Sequence, residues 1–453
     1  MSSLLATLQS AGDALGVFEN AIGVIQSNTT NASTLGYVAR QPNLTTDSLG
    51  NVATAATTNA RNQFAEQAVW QQNQLLGAAT QQATNLSYLQ SQFNVTGKSG
   101  IPKALTGLYA AFSSWSTNAD DPTSRSQVLV AAGQVAQAFN EAAGNVQANV
   151  AQVNQQLSSV VSQINGLSSK IAAINQQIRS GDRDNPGLQT QLYNDLQQLS
   201  NFASISVHTE LDGTTTVLMN EQTPLVIGVT PTALQVSYSS STGSTSVVNA
   251  SGQDVTPAAG AGGQLGGLLQ IRNQTLPALM GSPNQQGSLN QLAKSIADRV
   301  NALLTSGTTG AGTAGKALFT YNASGVAASL AVDPTVQPSD LAAASANSAN
   351  GTAAQLAGLQ NPTDPLDMIN GVNYTDFYSI MASNLGTQAS DASQTQSSQT
   401  DLLNQAENAR AQVSGVSLDA QATQLLQFQQ AYAASSKLIT VIDQMTRDLL
   451  NAV

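Results

Sequence analysis

One apolar stripe governs what this chain can fold into. Val135, Phe139, Ala142, Val146, Val150, Val153, Leu157, Val160, Ile164, Leu167, Ile171, Ile174 and Ile178 succeed one another at steps of three and four. Only an α-helix returns such spacings to a single face. At about 1.5 Å per residue, the stripe predicts a helix of roughly 65 Å. No compact core can wrap a helix of that length, so it must lie against other long helices. The stretch SGDRDNPG at 180–187 ends it, and 188–199 predicts a returning helix. Upstream, 64–93 and 105–115 predict further helical pieces, and Asp120-Asp121-Pro122 has the form of a helix start with proline in the first turn. Later helices are predicted over 283–305 and 374–412.

Both chain ends repeat the pattern. Leu4, Leu8, Ala11, Leu15, Phe18, Ile22 and Ile25 form an N-terminal stripe on a helix of roughly 33 Å. Leu425, Phe428, Tyr432, Ile439, Ile442, Leu449 and Val453 form a C-terminal one, interrupted by Ser435 and Thr446. The economical reading pairs the two ends as a coiled coil and makes everything between them an insertion. Packing between subunits would satisfy the same stripes.

Periodicity changes after Phe202. SISVHTELDGTTTVLMN alternates in the manner of strands and carries Asp212-Gly213, a hairpin turn signal. PLVIGV and ALQVSYSS continue as short strands, and residues 306–370 read as mostly irregular. The expected fold is therefore mainly α with a small β insertion. Its domains are 1–58 with 410–453 as a terminal helical unit, 59–202 with 261–409 as a helical rod, and 203–260 as a β-rich outer unit.

Composition removes most other classes. Charged residues are 9% of the 453 and the net charge is −11, with no basic cluster to bind nucleic acid or an anionic membrane surface. No apolar run approaches the ~20 residues of a membrane span. The N-terminus has neither a basic region nor an unbroken apolar stretch of the secretory kind. Cysteine is absent and His208 is the single histidine, so neither a thiolate site nor a typical zinc site can be assembled. GAGGQLGG fails dinucleotide-loop spacing, since Leu265 stands where the third glycine belongs, and reads as a flexible connection. Asp182, Arg183 and Asp184 lack the glycine and distal glutamate of a calcium loop, and read as a solvated turn. Catalytic residues, cofactors and metals are expected to be absent.

The ends also carry motifs. Asn28, Asn31, Gly36 and Tyr37 fit Asn-x-Ser-Asn, four residues, Gly-Tyr, with Thr30 in the serine position and Arg40-Gln41 one residue late. Ser414, Gly415, Val416, Leu418, Asp419, Phe428, Gln429, Gln430 and Tyr432 fit Ser-Gly-Val-Asn-Leu-Asp, then Phe-Gln-Gln and Tyr, without a gap. Ala420 and Gln421 stand where two glutamates are usual. QLGGLLQIR at 264–272 and AGKALF at 314–319 match internal blocks. In these features the chain resembles the bacterial flagellar axial proteins, and among them the first hook-associated family of the hook–filament junction.

The resemblance implies a nested, flagellin-like architecture and a structural, non-enzymatic role in the extracellular flagellum. It implies self-assembly into a ring or helical tube of ~11 subunits. It further implies contact with the hook protein and a second hook-associated junction protein, a cytoplasmic export chaperone, and type III export without a cleaved signal peptide. The stripe residues from Leu4 to Ile25 and from Leu425 to Leu449 become subunit-interface candidates. Two competing readings are the second junction protein of the same axial family and a helical-stalk adhesin.

Overall fold

The computed structural model describes all residues except Met1, Leu35, 47–51, 55–56, 94–96, 183–184, Ser240, Ala261, Asn284 and 452–453. Helix α1 spans Ser2–Thr30. Four short strands follow: β1 (Arg40–Gln41), β2 (Leu44–Thr46), β3 (Val52–Thr54) and β4 (Thr58–Asn59). β1 pairs antiparallel with β4, and β2 with β3. The rod then begins with α2 (Gln63–Gln92), α3 (Gly100–Thr117) and α4 (Pro122–Gln177).

At 56 residues, α4 is longer than its stripe predicts. Asp121 caps it by accepting from the amides of Thr123 and Ser124 at 3.1 and 3.0 Å, ahead of Pro122. α4 ends at Gln177, three residues short of the predicted break, and a π turn over Ile178–Asp182 carries the chain into it, with Gly181 at φ 121°. Arg183 and Asp184 lie outside the described residues, and Asp182 is exposed. Along α4, Phe139, Val146, Val153, Leu157, Ile164 and Ile171 are fully buried. Near its middle the stripe is corrected. Asn149 occupies the seam, completely buried, while Val150 is half-buried.

Helix α5 (Pro186–Phe202) returns along α4 and leads into the β unit. There β5 (Ile205–Thr209), β6 (Thr215–Met219), β7 (Thr223–Ile227) and β8 (Thr230–Pro231) form an antiparallel sheet in sequence order. β9 (Leu234–Tyr238) and β10 (Thr245–Asn249) form a separate hairpin. The β5–β6 turn passes through Gly213 at φ 86°, as Asp212-Gly213 predicts. Two asparagines of α4 fasten this unit by its main chain. Asn175 donates to the carbonyls of Thr215 and Gly228 at 2.8 and 2.6 Å, and Asn165 donates to that of Leu234 at 2.9 Å. Each side-chain oxygen accepts in return, from the amides of Thr215 and Leu234.

From Gly263 onward the glycine-rich segment is helix rather than a flexible connection, while Ala261 lies outside the described residues. Helix α6 (Gly263–Gln270) begins inside it, and the backbone widens to a π turn over Ile271–Thr275 before helix resumes over Leu276–Met280. Gly267 lies against α2 so closely that a Cβ there would stand 2.5 Å from the Ala78 carbonyl oxygen. The glycines serve close helix packing rather than mobility. The longer helices that follow are α7 (Ser288–Ser306), α8 (Gly351–Gly358), α9 (Tyr374–Ser414) and α10 (Leu418–Asn451). α9 packs along α2, and α10 along α1. The expected division at 202/203 meets the end of α5, and 260/261 precedes α6. The division at 58/59 falls inside β4, and that at 409/410 inside α9, which continues unbroken to Ser414.

Candidate functional site

The chain passes twice between the terminal pair and the rod, once between α1 and α2 and once between α9 and α10. The two passages meet. Asn28, in the last turns of α1, is fully buried. Its Nδ2 donates to Gln421 Oε1 at 2.8 Å and to the Arg40 carbonyl at 2.7 Å. Its Oδ1 accepts from the Arg40 amide at 3.0 Å and from the Tyr37 hydroxyl at 2.9 Å. Two donors and two acceptors exhaust what an asparagine amide offers, so this buried group is fully satisfied. It joins α1, the following loop and α10 at one point.

A main-chain clasp lies beside it. The Ala39 amide donates to the Ser414 carbonyl at 2.9 Å, and the Asn62 amide donates to Ser414 Oγ at 3.2 Å. Asn62 in turn caps α2 by accepting from the Ala65 amide at 3.1 Å. Gly36 adopts φ 74°, and a Cβ there would stand 2.1 Å from Asn194 Oδ1. The backbone angle favours glycine, and any side chain there would have to displace Asn194.

Beneath the clasp sits an ionic cluster. Glu66 pairs with Arg61 at 2.6 Å and with Arg410 at 3.3 Å. Arg61 also donates to the Gly36 carbonyl at 2.8 Å and stacks over the Tyr193 ring at 3.6 Å. Arg410 donates to Gln197 Oε1 at 2.9 Å, and Gln197 donates to Glu407 at 3.2 Å. Burial lowers the Arg61 pKa while Glu66 opposes the shift. Burial likewise raises that of Tyr193, with Arg61 opposing. The arrangement holds a charged guanidinium against a neutral phenol and one shared carboxylate. It is built to fix two segments at an angle; no nucleophile–base pair is part of it.

Of the motif residues, Asn28, Gly36, Tyr37, Arg40 and Ser414 gather here, Arg40 through its main chain. Asn31 turns back to the Ser27 carbonyl at 2.9 Å. The Gly415 amide closes α9 on the Ala411 carbonyl at 2.9 Å. Val416 is half-buried, while Leu418, Asp419, Gln429 and Gln430 are on the surface. The sequence reading missed Arg61, Glu66, Arg410 and Gln421. Only Gln421 had left a signal, standing where a glutamate is usual.

The stripe residues divide. Ile25 and Ile442 are buried, and Leu4, Leu8, Leu15, Phe18, Ile22, Leu425, Phe428 and Ile439 are half-buried. The rings of Phe18 and Phe428 lie 6.3 Å apart. With Asn28 against Gln421, this makes α1 and α10 antiparallel. Tyr432 turns outward at 39% exposure, and the Leu449 side chain lies outside the described residues. A second stripe on α1, formed by Val17, Ala21, Val24 and Asn28, is buried more deeply, and the β2–β3 hairpin packs on this helix. Among the described residues there is no cluster able to hold a metal and no helix long and apolar enough to cross a membrane. His208 is exposed on β5, opposite Thr216.

Comparison with known proteins agrees along the whole chain. Residues 86–319 match a family model described as the flagellar hook-associated protein FlgK helical domain. Residues 409–452 match one described as the flagellar basal body rod FlgEFG protein C-terminal. The chain is similar to flagellar hook-associated protein 1 of Bacillus subtilis, at 26% identity over all of this chain and 99% of the relative. Its fold is similar to that of the flagellar hook junction protein FlgK from Burkholderia pseudomallei. The TM-score is 0.66 at 18% identity, over 75% of this chain and 99% of that one.

Proposed function

The chain belongs to the FlgK family of flagellar hook-associated proteins, and from that premise we propose that it is a structural subunit of the junction between hook and filament. Its relatives are structural proteins, and its role is mechanical: to assemble and to transmit shape. The observation that carries the reading is the terminal pair, which holds α1 against α10 yet leaves Leu5, Leu426, Leu438, Val441 and Met445 between 47% and 69% exposed. Apolar surface of that kind favours burial against neighbours, at roughly 25 cal/mol per Å². Heterologous contacts that do not close on themselves extend into a helical tube.

The finer reading follows the same line. The chain divides into the three nested units drawn from its sequence, with α1 and α10 as a coiled coil on the inner face of a tube of ~11 subunits. The stripe residues from Leu4 to Leu449 contact neighbouring subunits. The hook protein and a second junction protein flank the assembly, and a chaperone covers α10 before type III export to the cell exterior. The FlgK helical-domain match favours this over the second junction protein, and the extended similarity to axial proteins favours it over a stalk adhesin.

The test is addition of the purified chain to isolated hooks, with hydrogen exchange followed in both states. Ring-like occupancy at hook ends, with exchange in α1 and α10 slowed on binding, is the expected result. A chain that ignores hooks, with both helices already fully protected, would sink the reading.

A further inference from the structure

We propose that the cleft between the β4 segment and the first turn of α5 is a carboxylate-receiving site, filled in the assembly by an acidic side chain of a neighbouring copy. The choice of occupant rests on the junction reading above; the chemistry of the site does not. The cleft has a volume of about 290 Å³ and is lined by Arg40 and Arg61, together with Thr57, Thr58, Asn59 and Gln189. None of its lining residues carries a carboxylate. It is polar, basic and open to one side of the joint.

The charge at its wall is unbalanced. Arg61 and Arg410 share the single carboxylate of Glu66, and Glu407 reaches this cluster only through Gln197. Arg40 and Arg61 are the two arginines that line the cleft itself. The Arg61 side chain is 5% exposed, and among the described residues its Nε–H has no hydrogen-bond partner. A buried charged donor left unmatched is costly unless an acceptor is supplied. A planar oxyanion is the group a guanidinium pairs with best. The positive end of α5 opens at the same wall, since Pro186 lines the cleft and begins that helix, and this adds a further field of the right sign.

Neighbouring copies supply the complement. The chain carries 26 acidic against 15 basic residues. On the terminal pair Asp13, Glu19 and Asp419 are exposed, carboxylates of the right charge for a neighbouring copy to present to the cleft. Pairing there would couple the angle of one subunit's joint to the placement of the next.

The test has two arms on the full chain. In the first, thermal unfolding is followed in sodium sulfate against sodium chloride at matched ionic strength. Sulfate stabilises any folded chain by exclusion from its surface, so the readout is a difference between chains. Wild type should gain roughly 2–4 °C more in sulfate than the variants, as binding to the folded state adds to that general effect. Arg40→Gln and Gln189→Glu should keep only the general part of the gain. The second variant keeps an oxygen to accept from Asn59, which now donates to Gln189 at 2.8 Å, while placing a carboxylate in the cleft. In the second arm Arg40→Glu should occupy hooks roughly tenfold or more weakly than wild type. A sulfate gain of equal size in wild type and both variants would overturn the site. A gain specific to wild type, with normal hook occupancy by Arg40→Glu, would overturn the neighbouring copy as its source and leave a free oxyanion. If wild type shows the specific gain yet never occupies hooks, the junction reading fails and the cleft's chemistry stands.

Discussion

The rod and the terminal pair are both made of long helices with apolar stripes, but they finish differently. In the rod, Phe112, Trp115, Phe139, Leu157, Ile164 and Ile171 are each under 2% exposed, sealed by α2, α3, α5 and α9. In the terminal pair most stripe residues are only half covered, and α10 keeps Leu426, Leu438, Val441 and Met445 in contact with solvent. Equal patterning therefore does not mean equal completion. The rod reaches its packed state within one copy. Two helices lying side by side can cover only one face of each other, so the terminal pair is left with apolar surface facing solvent.

The sharpest way to break this contrast is to empty one site in each region. Phe139→Ala should cost roughly 3–5 kcal/mol in denaturant unfolding, because the buried ring leaves a cavity that closely packed helices cannot close. A smaller loss would mean that the rod is more loosely built than its burial implies. Glu66→Ala, which leaves Arg61 and Arg410 without their shared carboxylate, should cost about 3 kcal/mol. Exchange should then quicken first across the joint and terminal helices, with the rod following at higher denaturant. One cooperative loss of both regions would show them to be a single unit. Gly267→Ala should cost roughly 1–3 kcal/mol from the clash with the Ala78 carbonyl, read as a fall in the rod's thermal midpoint.

Phe18→Ala removes a half-buried ring from the Phe428 contact. It should cost about 1 kcal/mol or less in the free chain, yet reduce hook occupancy markedly. Equal and large effects in both measurements would erase the distinction between the regions.

The last contrast is silent at neutral pH. Burial raises the pKa of Tyr374 and Tyr378 in the rod to about 12, above the roughly 10 of an unfolded tyrosine. Folding holds both phenols protonated. That contribution is complete below pH ~10 and is lost as pH rises through 12. Phenolate absorbance from these two should appear together with alkaline unfolding of the rod, and early ionisation in a folded rod would contradict their burial.

What could be read in the sequence follows from the range over which each signal acts. The α4 stripe, the Asp121-Pro122 start and the Asp212-Gly213 turn are local, and periodicity or turn chemistry exposes them directly. Asn28 and Ser414 were visible as motif positions, but their partners were not. Arg410 and Glu66 stand 344 residues apart, and neither differs in its local surroundings from an ordinary charged residue on a helix. The glycines at 263, 266 and 267 misled for a related reason. A glycine permits a flexible loop or the close approach of other backbone, and only the neighbour decides which: Phe202 and Ala203 for Gly263, Gly260 for Gly266 and Ala78 for Gly267. Asn149 was hidden because a polar residue between two stripe positions looks like surface until the seam is seen to pass through it.

The bond between Asn28 and Gln421 closes a span of 393 residues, and this fixes the order in which the molecule can be completed. α3 and α4, joined by a short turn, can dock as soon as both exist, whereas α1 must wait for nearly the whole chain before its partner is present. Long loops are closed late because their entropy is surrendered before any contact repays it. A chain delivered from its N-terminus onward thus holds its first helix unpaired until α10 has arrived, and only then can the terminal pair form.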